Sequence, residues 1–175
     1  MKRLLIAVVA MACVVVGAER GLAQGNPRGK AEIIFVGGKR VSVEYGRPSL
    51  KGRTVAELLE QLKAGDCWRL GADKSTTFST AADLQFADVT IPKGDYSLWA
   101  QRGADHSWKL VFNKEHGQWG MQHDTAQDFA SVPLTESKAP RSAEMVTISL
   151  TRKGAGGAIA IQWGDMQLTA NFKLK

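Results

Sequence analysis

A chain of 175 residues, 44% hydrophobic and 23% charged, has room for one folded domain. It also has enough apolar side chains to build a core without disulfides. Its net charge of +6 comes from 23 basic and 17 acidic residues, with no basic run longer than a pair. That mixture lacks the concentrated basic stripe that nucleic acid requires, so nucleic acid is excluded as an expected partner.

The first residues depart from this average. Met1-Lys2-Arg3 carries positive charge, and Leu4 to Ala18 is an apolar run broken only by small residues. Gly21 and Ala23 then occupy the −3 and −1 places of a cut before Gln24, the pattern of a secretory signal over residues 1–23. A membrane anchor would need more length, because fifteen residues span about 22 Å against a hydrocarbon core of ~30 Å. Lipid attachment at Cys13 would leave the strongly apolar Val14-Val15-Val16 directly after the cut, which disfavours it. The expected mature protein is therefore exported, periplasmic or extracellular, with no membrane-spanning segment. Losing Lys2, Arg3, Arg20 and Glu19 lowers its charge from +6 to +4. Cys67 becomes its lone cysteine, unable to form an internal disulfide and expected as a small buried hydrophobe.

Residues 24–30, made of Gly, Pro and polar or charged residues, are expected to be a flexible leader, and 31–175 to be the domain. The first clear alternation follows: Val41, Val43 and Tyr45 against Ser42 and Glu44. Thr54 through Leu62 then changes period, placing Val55, Leu58, Leu59 and Leu62 on one helical face. Thr54 and Glu57 form a capping box at its start, and Gly65 lies past its end. Alternation returns at Tyr96, Leu98 and Ala100, with Ser97 and Trp99 on the other face. It continues through Trp108, Leu110 and Phe112, through Val146, Ile148 and Leu150, and through Ile159, Ile161 and Trp163. Leu168, Ala170, Phe172 and Leu174 form the last such row. Turn signals separate the strands at 92–95, 102–105 and 153–157, and Gly164-Asp165 reads as a two-residue type II′ hairpin. Many short strands joined by tight turns predict an antiparallel β-sandwich, jelly-roll-like, with one short amphipathic α-helix after the second strand.

Two segments stop looking like scaffold. Tyr45-Gly46-Arg47-Pro48-Ser49-Leu50-Lys51-Gly52-Arg53 puts three cations in a loop between strand and helix. After the helix comes Cys67-Trp68-Arg69-Leu70-Gly71-Ala72-Asp73-Lys74-Ser75-Thr76-Thr77-Phe78. Arg47, Lys51, Arg53, Arg69 and Thr76, with Trp68, Asp73 and Trp119 beside them, are candidates for a pocket that binds a polar or anionic ligand. Guanidinium forks grip carboxylate or phosphate through paired hydrogen bonds. The structural alternative is an internal ion-pair network that fastens the loop to the sheet.

The strings YGRPSLKGR and WRLGADKSTTF resemble the signature of the bacterial family known only as domain of unknown function 2911. Pro92, Gly94, Tyr96, Trp108, Asn113-Lys114, Gln118-Trp119-Gly120, Asp128, Glu144 and Trp163 extend the likeness over most of the chain. That family tends to have Asn at the place of Asp73 and Tyr near that of His123. The resemblance implies a secreted, mostly β domain and brings no assigned activity and no cofactor.

The residues leave two other chemistries open. Trp99, on the outward face of its strand, and Trp119, in a Gly-rich loop, are candidate platforms for stacking a carbohydrate; the alternative is that both fill covered faces. A glycan hydrolase would draw its acid and base from Asp73, Asp124, Asp128 or Glu144. A structural envelope role is the third possibility. No HExxH, close-spaced zinc ligands or GxSxG elbow is present, so no catalytic residue, metal ligand or cofactor is assigned. His106, His116 and His123 do not have ligand spacing, and the sequence gives no oligomeric state.

Overall fold

The computed structural model describes residues 25–175; the expected signal segment, 1–23, lies outside the described residues. The class is the one the alternation predicts, mostly antiparallel strands with one short helix. The strands are β1 (Arg28–Ile34), β2 (Arg40–Gly46), β3 (Cys67–Trp68), β4 (Thr77–Thr80) and β5 (Leu84–Phe86). They continue with β6 (Val89–Ile91), β7 (Gly94–Arg102), β8 (Trp108–Asn113), β9 (Asp128–Lys153) and β10 (Gly156–Leu174). They form one hydrogen-bonded path, β1-β2-β4-β7-β8-β9-β10-β5-β6, with β3 attached to β7. No helix among the described residues is long and apolar enough to cross a membrane.

Arg28, Gly29 and Lys30, expected in a flexible leader, are the first residues of β1. They pair with Gly46, Tyr45 and Glu44. The apolar β2 strand needs partners for its backbone on both sides, and this polar segment supplies one of them.

In the C-terminal half the structure departs from the expected turns at Gly164-Asp165. The expected hairpin there does not exist, because β10 runs through both residues. The register slips instead, from Gln162 opposite Thr147 to Gly164 opposite Ala143 and Met166 opposite Lys138. Gly164 has φ of 56°, the left-handed conformation that a lone glycine inside a strand pattern brings to a bulge. A Cβ there would also stand 2.9 Å from Val55 Cγ2, so the missing side chain lets the helix come close.

The long β9 has two partners. Asp128–Leu134 pairs with β8, and the remainder pairs with β10. The chain leaving β2 also reaches it: Leu50 N–H donates to Glu144 O (2.9 Å) and Val146 N–H to Pro48 O (3.0 Å). The sheet therefore curls until its early and late strands face each other across the core. Val43, Phe78, Leu98, Leu110, Phe112, Ile159, Ile161 and Leu168 are among the side chains fully buried there. Burying one such side chain contributes about 1.5–3 kcal/mol.

The helix α1 is shorter than its periodicity suggests, Val55–Leu59, and one further 3-10 bond, Leu62 N–H to Leu59 O, continues the turn. Its capping box is complete: Thr54 Oγ1 accepts from Glu57 N–H, and Glu57 accepts from Thr54 N–H. Val55 and Leu59 are buried, while Leu58 and Leu62 stay half exposed and form the edge of a cleft.

Gly46 sits where the end of β2 crosses residues 71 and 72. An added Cβ would overlap the carbonyl oxygen of Ala72. Gly46→Ala is therefore expected to lose about 2–3 kcal/mol of stability, read from the midpoint of urea unfolding.

Candidate functional site

A cleft of about 410 Å³ lies between the helix and the segment 120–123. Leu58, Leu59 and Leu62 form one wall, and Trp68 and Trp99 lie at its base. Arg69, Gly120, Met121 and His123 complete the opposite side. Met121, an apolar side chain at the rim, is 74% exposed.

Local backbone geometry places Arg69. Strand β3 hangs on β7 through Cys67 opposite Gln101 and Trp68 opposite Ala100, which turns Trp68 into the core against Trp163, stacked at 5.5 Å. Leu70 and Asp73 both take left-handed conformations, φ 54° and 62°, and fold the intervening chain into a tight loop. The buried Thr76 hydroxyl donates to Leu70 O (3.2 Å) and closes that loop. The segment 117–120 is clamped on top. Gly120 N–H donates to Asp73 O (2.8 Å), Ser75 N–H to Gln118 O (2.9 Å) and Gly117 N–H to Ser75 Oγ (3.0 Å). Arg69 passes beneath Gly120, where a Cβ would stand 3.1 Å from Arg69 Cδ. Its stem is thus packed and half buried, yet its guanidinium has no hydrogen bond or ion pair to any described residue.

The base of the cleft is a polar relay. Trp99 is only 3% exposed, because His123 stacks on it with ring centroids 4.3 Å apart and planes 17° from parallel. Both faces of β7 are therefore covered, and Trp99 is not an open stacking platform. His123 Nε2 lies 2.9 Å from Asp128 Oδ1. The same oxygen accepts from Asn113 Nδ2 at 2.7 Å, and Asn113, fully buried, also donates to Asp124 O (2.8 Å). Cys67 faces the cleft with its thiol pushed up to about 11, by burial first and then by the carboxylates of Asp128 and Asp66. It is a neutral thiol at physiological pH, not an activated nucleophile.

The residues expected together fall into two groups. Trp68 and Arg69 line the cleft, and Asp73 and Trp119 stand next to it on the clamp, Trp119 with 55% of its surface exposed. Thr76 is buried beneath them as a loop closure. Arg47, Lys51 and Arg53 belong elsewhere, at the junction of β2 with β9. Arg47 donates through Nε to Val146 O (3.2 Å) and through Nη2 to Thr147 Oγ1 (3.4 Å). Lys51 N–H donates to Glu144 Oε1 (2.9 Å), and Arg53 Nε folds back onto Leu50 O (3.0 Å).

The four acids considered for glycan hydrolysis are each engaged with their own neighbours. Asp73 accepts from Asn26 N–H, Asp124 from Ala126 N–H, Asp128 from Asn113, and Glu144 from Lys51 N–H. None is hydrogen-bonded to another among the described residues. No group of three or more His, Cys, Asp or Glu side chains among them could hold a metal ion. The His123–Asp128 pair was not legible as a unit. Its only signal was a five-residue spacing across Asp124, whose side chain caps the 3-10 turn Thr125–Gln127.

A family model described as "Protein of unknown function (DUF2911)" matches residues 26–172. No curated protein and no solved structure matches the chain.

The two arginine environments predict opposite costs. Arg47→Ala removes charge-assisted hydrogen bonds to β9 and is expected to cost about 2 kcal/mol. Arg69→Ala removes mostly stem packing and is expected to cost less than about 1 kcal/mol, both read by urea unfolding. Cys67 gives a pH-dependent prediction. Two units above its ordinary value, the native thiol carries about a hundredfold less thiolate at pH 8 than the unfolded chain. Its reaction with an aromatic disulfide reagent should be at least about tenfold slower in the native state than in urea.

Proposed function

The chain belongs to the family described as protein of unknown function DUF2911, and from the cleft of this member we propose that it is a binding module for a small anionic ligand with an apolar body. The observation that carries the reading is the half-buried Arg69, a permanent cation with no hydrogen bond or ion pair to any described residue, on the wall of a cleft whose lining is mainly leucine, tryptophan and methionine. An arginine serving only architecture would have its fork filled, as Arg47 does. A carboxylate or phosphate could take both N–H groups of the open fork at once.

The volume supports the same reading. At about 410 Å³ the cleft lies within the range of small-molecule sites, which combine mostly hydrophobic walls with a few placed polar groups. Leu58, Leu62 and Met121 would cover the apolar part of the ligand. The site would work outside the cytoplasm, as the N-terminal sequence implies, and the exported protein would begin at Gln24. Mass spectrometry of the protein recovered from the periplasm or medium checks that start.

Thermal shift with carboxylates, phosphate esters and oligosaccharides, on the parent and on Arg69→Ala, tests the binding reading. An amphipathic anion at a hundred times its dissociation constant should stabilise the parent by about 2.7 kcal/mol and leave Arg69→Ala unmoved. Equal stabilisation of the two proteins would remove Arg69 from the site. Stabilisation by oligosaccharides alone, abolished in Trp119→Ala, would move the site to the exposed tryptophan.

A further inference from the structure

The cleft holds a second polar group, His123, whose ring tautomer is set by its neighbours. An aspartate carboxylate only accepts hydrogen bonds, so the 2.9 Å contact to Asp128 Oδ1 puts the ring proton of neutral His123 on Nε2. Nδ1 is then a bare acceptor. It has no hydrogen-bond partner among the described residues, and it is not one of the buried unpaired groups, so it reaches solvent.

Three contacts hold that acceptor in place. Trp99 fixes the plane of the ring by stacking, Asp128 fixes its rotation, and buried Asn113 fixes Asp128. Such a chain of supports pre-organises a hydrogen-bonding group, so little order is lost when a ligand uses it. Two other polar groups line the cleft: Asp66, whose Oδ2 accepts from Lys63 N–H at 2.9 Å and whose Oδ1 is a second acceptor, and Cys67, whose thiol is neutral, so His123→Phe is what separates the acceptors.

Resting on the binding reading above, we infer that the ligand carries a hydroxyl or amine donor as well as its anionic group, and that His123 Nδ1 accepts from that donor. Arg69 reads the negative charge and His123 reads the donor, both on the side opposite Leu58 and Leu62. A hydroxy acid has this chemistry, and its deoxy analogue lacks half of it. Leaving the acceptor unpaired in the complex makes the deoxy compound the weaker ligand, by about five- to tenfold.

The probes are 3-phenyllactate and 3-phenylpropionate, which share ring and carboxylate and differ by one hydroxyl. Titration calorimetry on the purified protein should show the hydroxy acid binding about five- to tenfold more tightly. His123→Phe keeps a ring on Trp99 and removes the acceptor, so the ratio should fall to near one. Arg69→Ala should weaken both acids together. Asp128→Asn is the second variant: Asn113 Nδ2 requires an acceptor at the same place, so the amide oxygen keeps the ring proton on Nε2 and the preference should persist, whereas its loss would count against the tautomer. Equal affinity of the parent for the two acids, still lost in Arg69→Ala, overturns the role of His123 and leaves the anion site standing. Failure of both acids to bind the parent overturns the anion site and the inference with it. Nitrogen-15 spectra of the His123 ring give a ligand-free check. A protonated Nδ1 in the neutral ring would refute the inference whatever the titrations show.

Discussion

The carbonyl groups of β9 need donors, and beyond its ladders with β8 and β10 the end of β2 and the segment leaving it supply them. Tyr45 donates its hydroxyl to Ile148 O (3.1 Å), Arg47 its Nε to Val146 O, and Ser49 forms a bridge with Met145. A buried carbonyl left unpaired would cost on the order of 1–3 kcal/mol, so these contacts make the curl of the sheet obligatory. Everything near the cleft follows from that closure. It sets where the chain enters the helix, and the bulge at Gly164 then lets Val55 approach β10. The helix can present Leu58 and Leu62 to the cleft only because Val55 and Leu59 are seated in the core.

The strands were legible because each carries an apolar row on its core face. Rows such as Trp108, Leu110 and Phe112 leave little choice of orientation, since a slip by one residue would bury Lys109 and expose the aromatics. Residues 128–140 were not legible as strand. Their alternation, Val132 and Leu134 inward, is short and interrupted by Pro133 and Pro140, and the row Ser137-Lys138 carries no apolar signal. Gly164-Asp165 failed for a related reason. A glycine with positive φ serves a hairpin or a bulge equally well, and the choice was made by pairing with a strand twenty residues upstream.

The candidate site was half legible. Trp-Arg in a short apolar context singled out Trp68 and Arg69, and both line the cleft. Counting cations together with them failed for Arg47, Lys51 and Arg53, because nearness in sequence to the helix does not give nearness to the cleft. The Val146 carbonyl and the Thr147 hydroxyl that bind Arg47 lie about a hundred positions away, and no local pattern encodes them. His123 with Asp128 was hidden for the converse reason. The pair depends on a buried asparagine, Asn113, at the end of β8, whose role appears only when the strand is placed.

The closure between β2 and β9 has a kinetic side. Tyr45 and Ile148 are 103 positions apart, and Lys51 and Glu144 are 93 apart. A chain emerging from its N-terminus therefore holds β1, β2 and the helix without their contacts to β9 and β10 until the last third has been made. Topologies dominated by such distant pairings fold in milliseconds to seconds, far more slowly than helical bundles. In that interval the apolar face of Val41, Val43 and Tyr45 is open to other chains. Lys30 and Glu44, paired at 3.0 Å on the outer face of the first hairpin, put charge beside that strand while it waits.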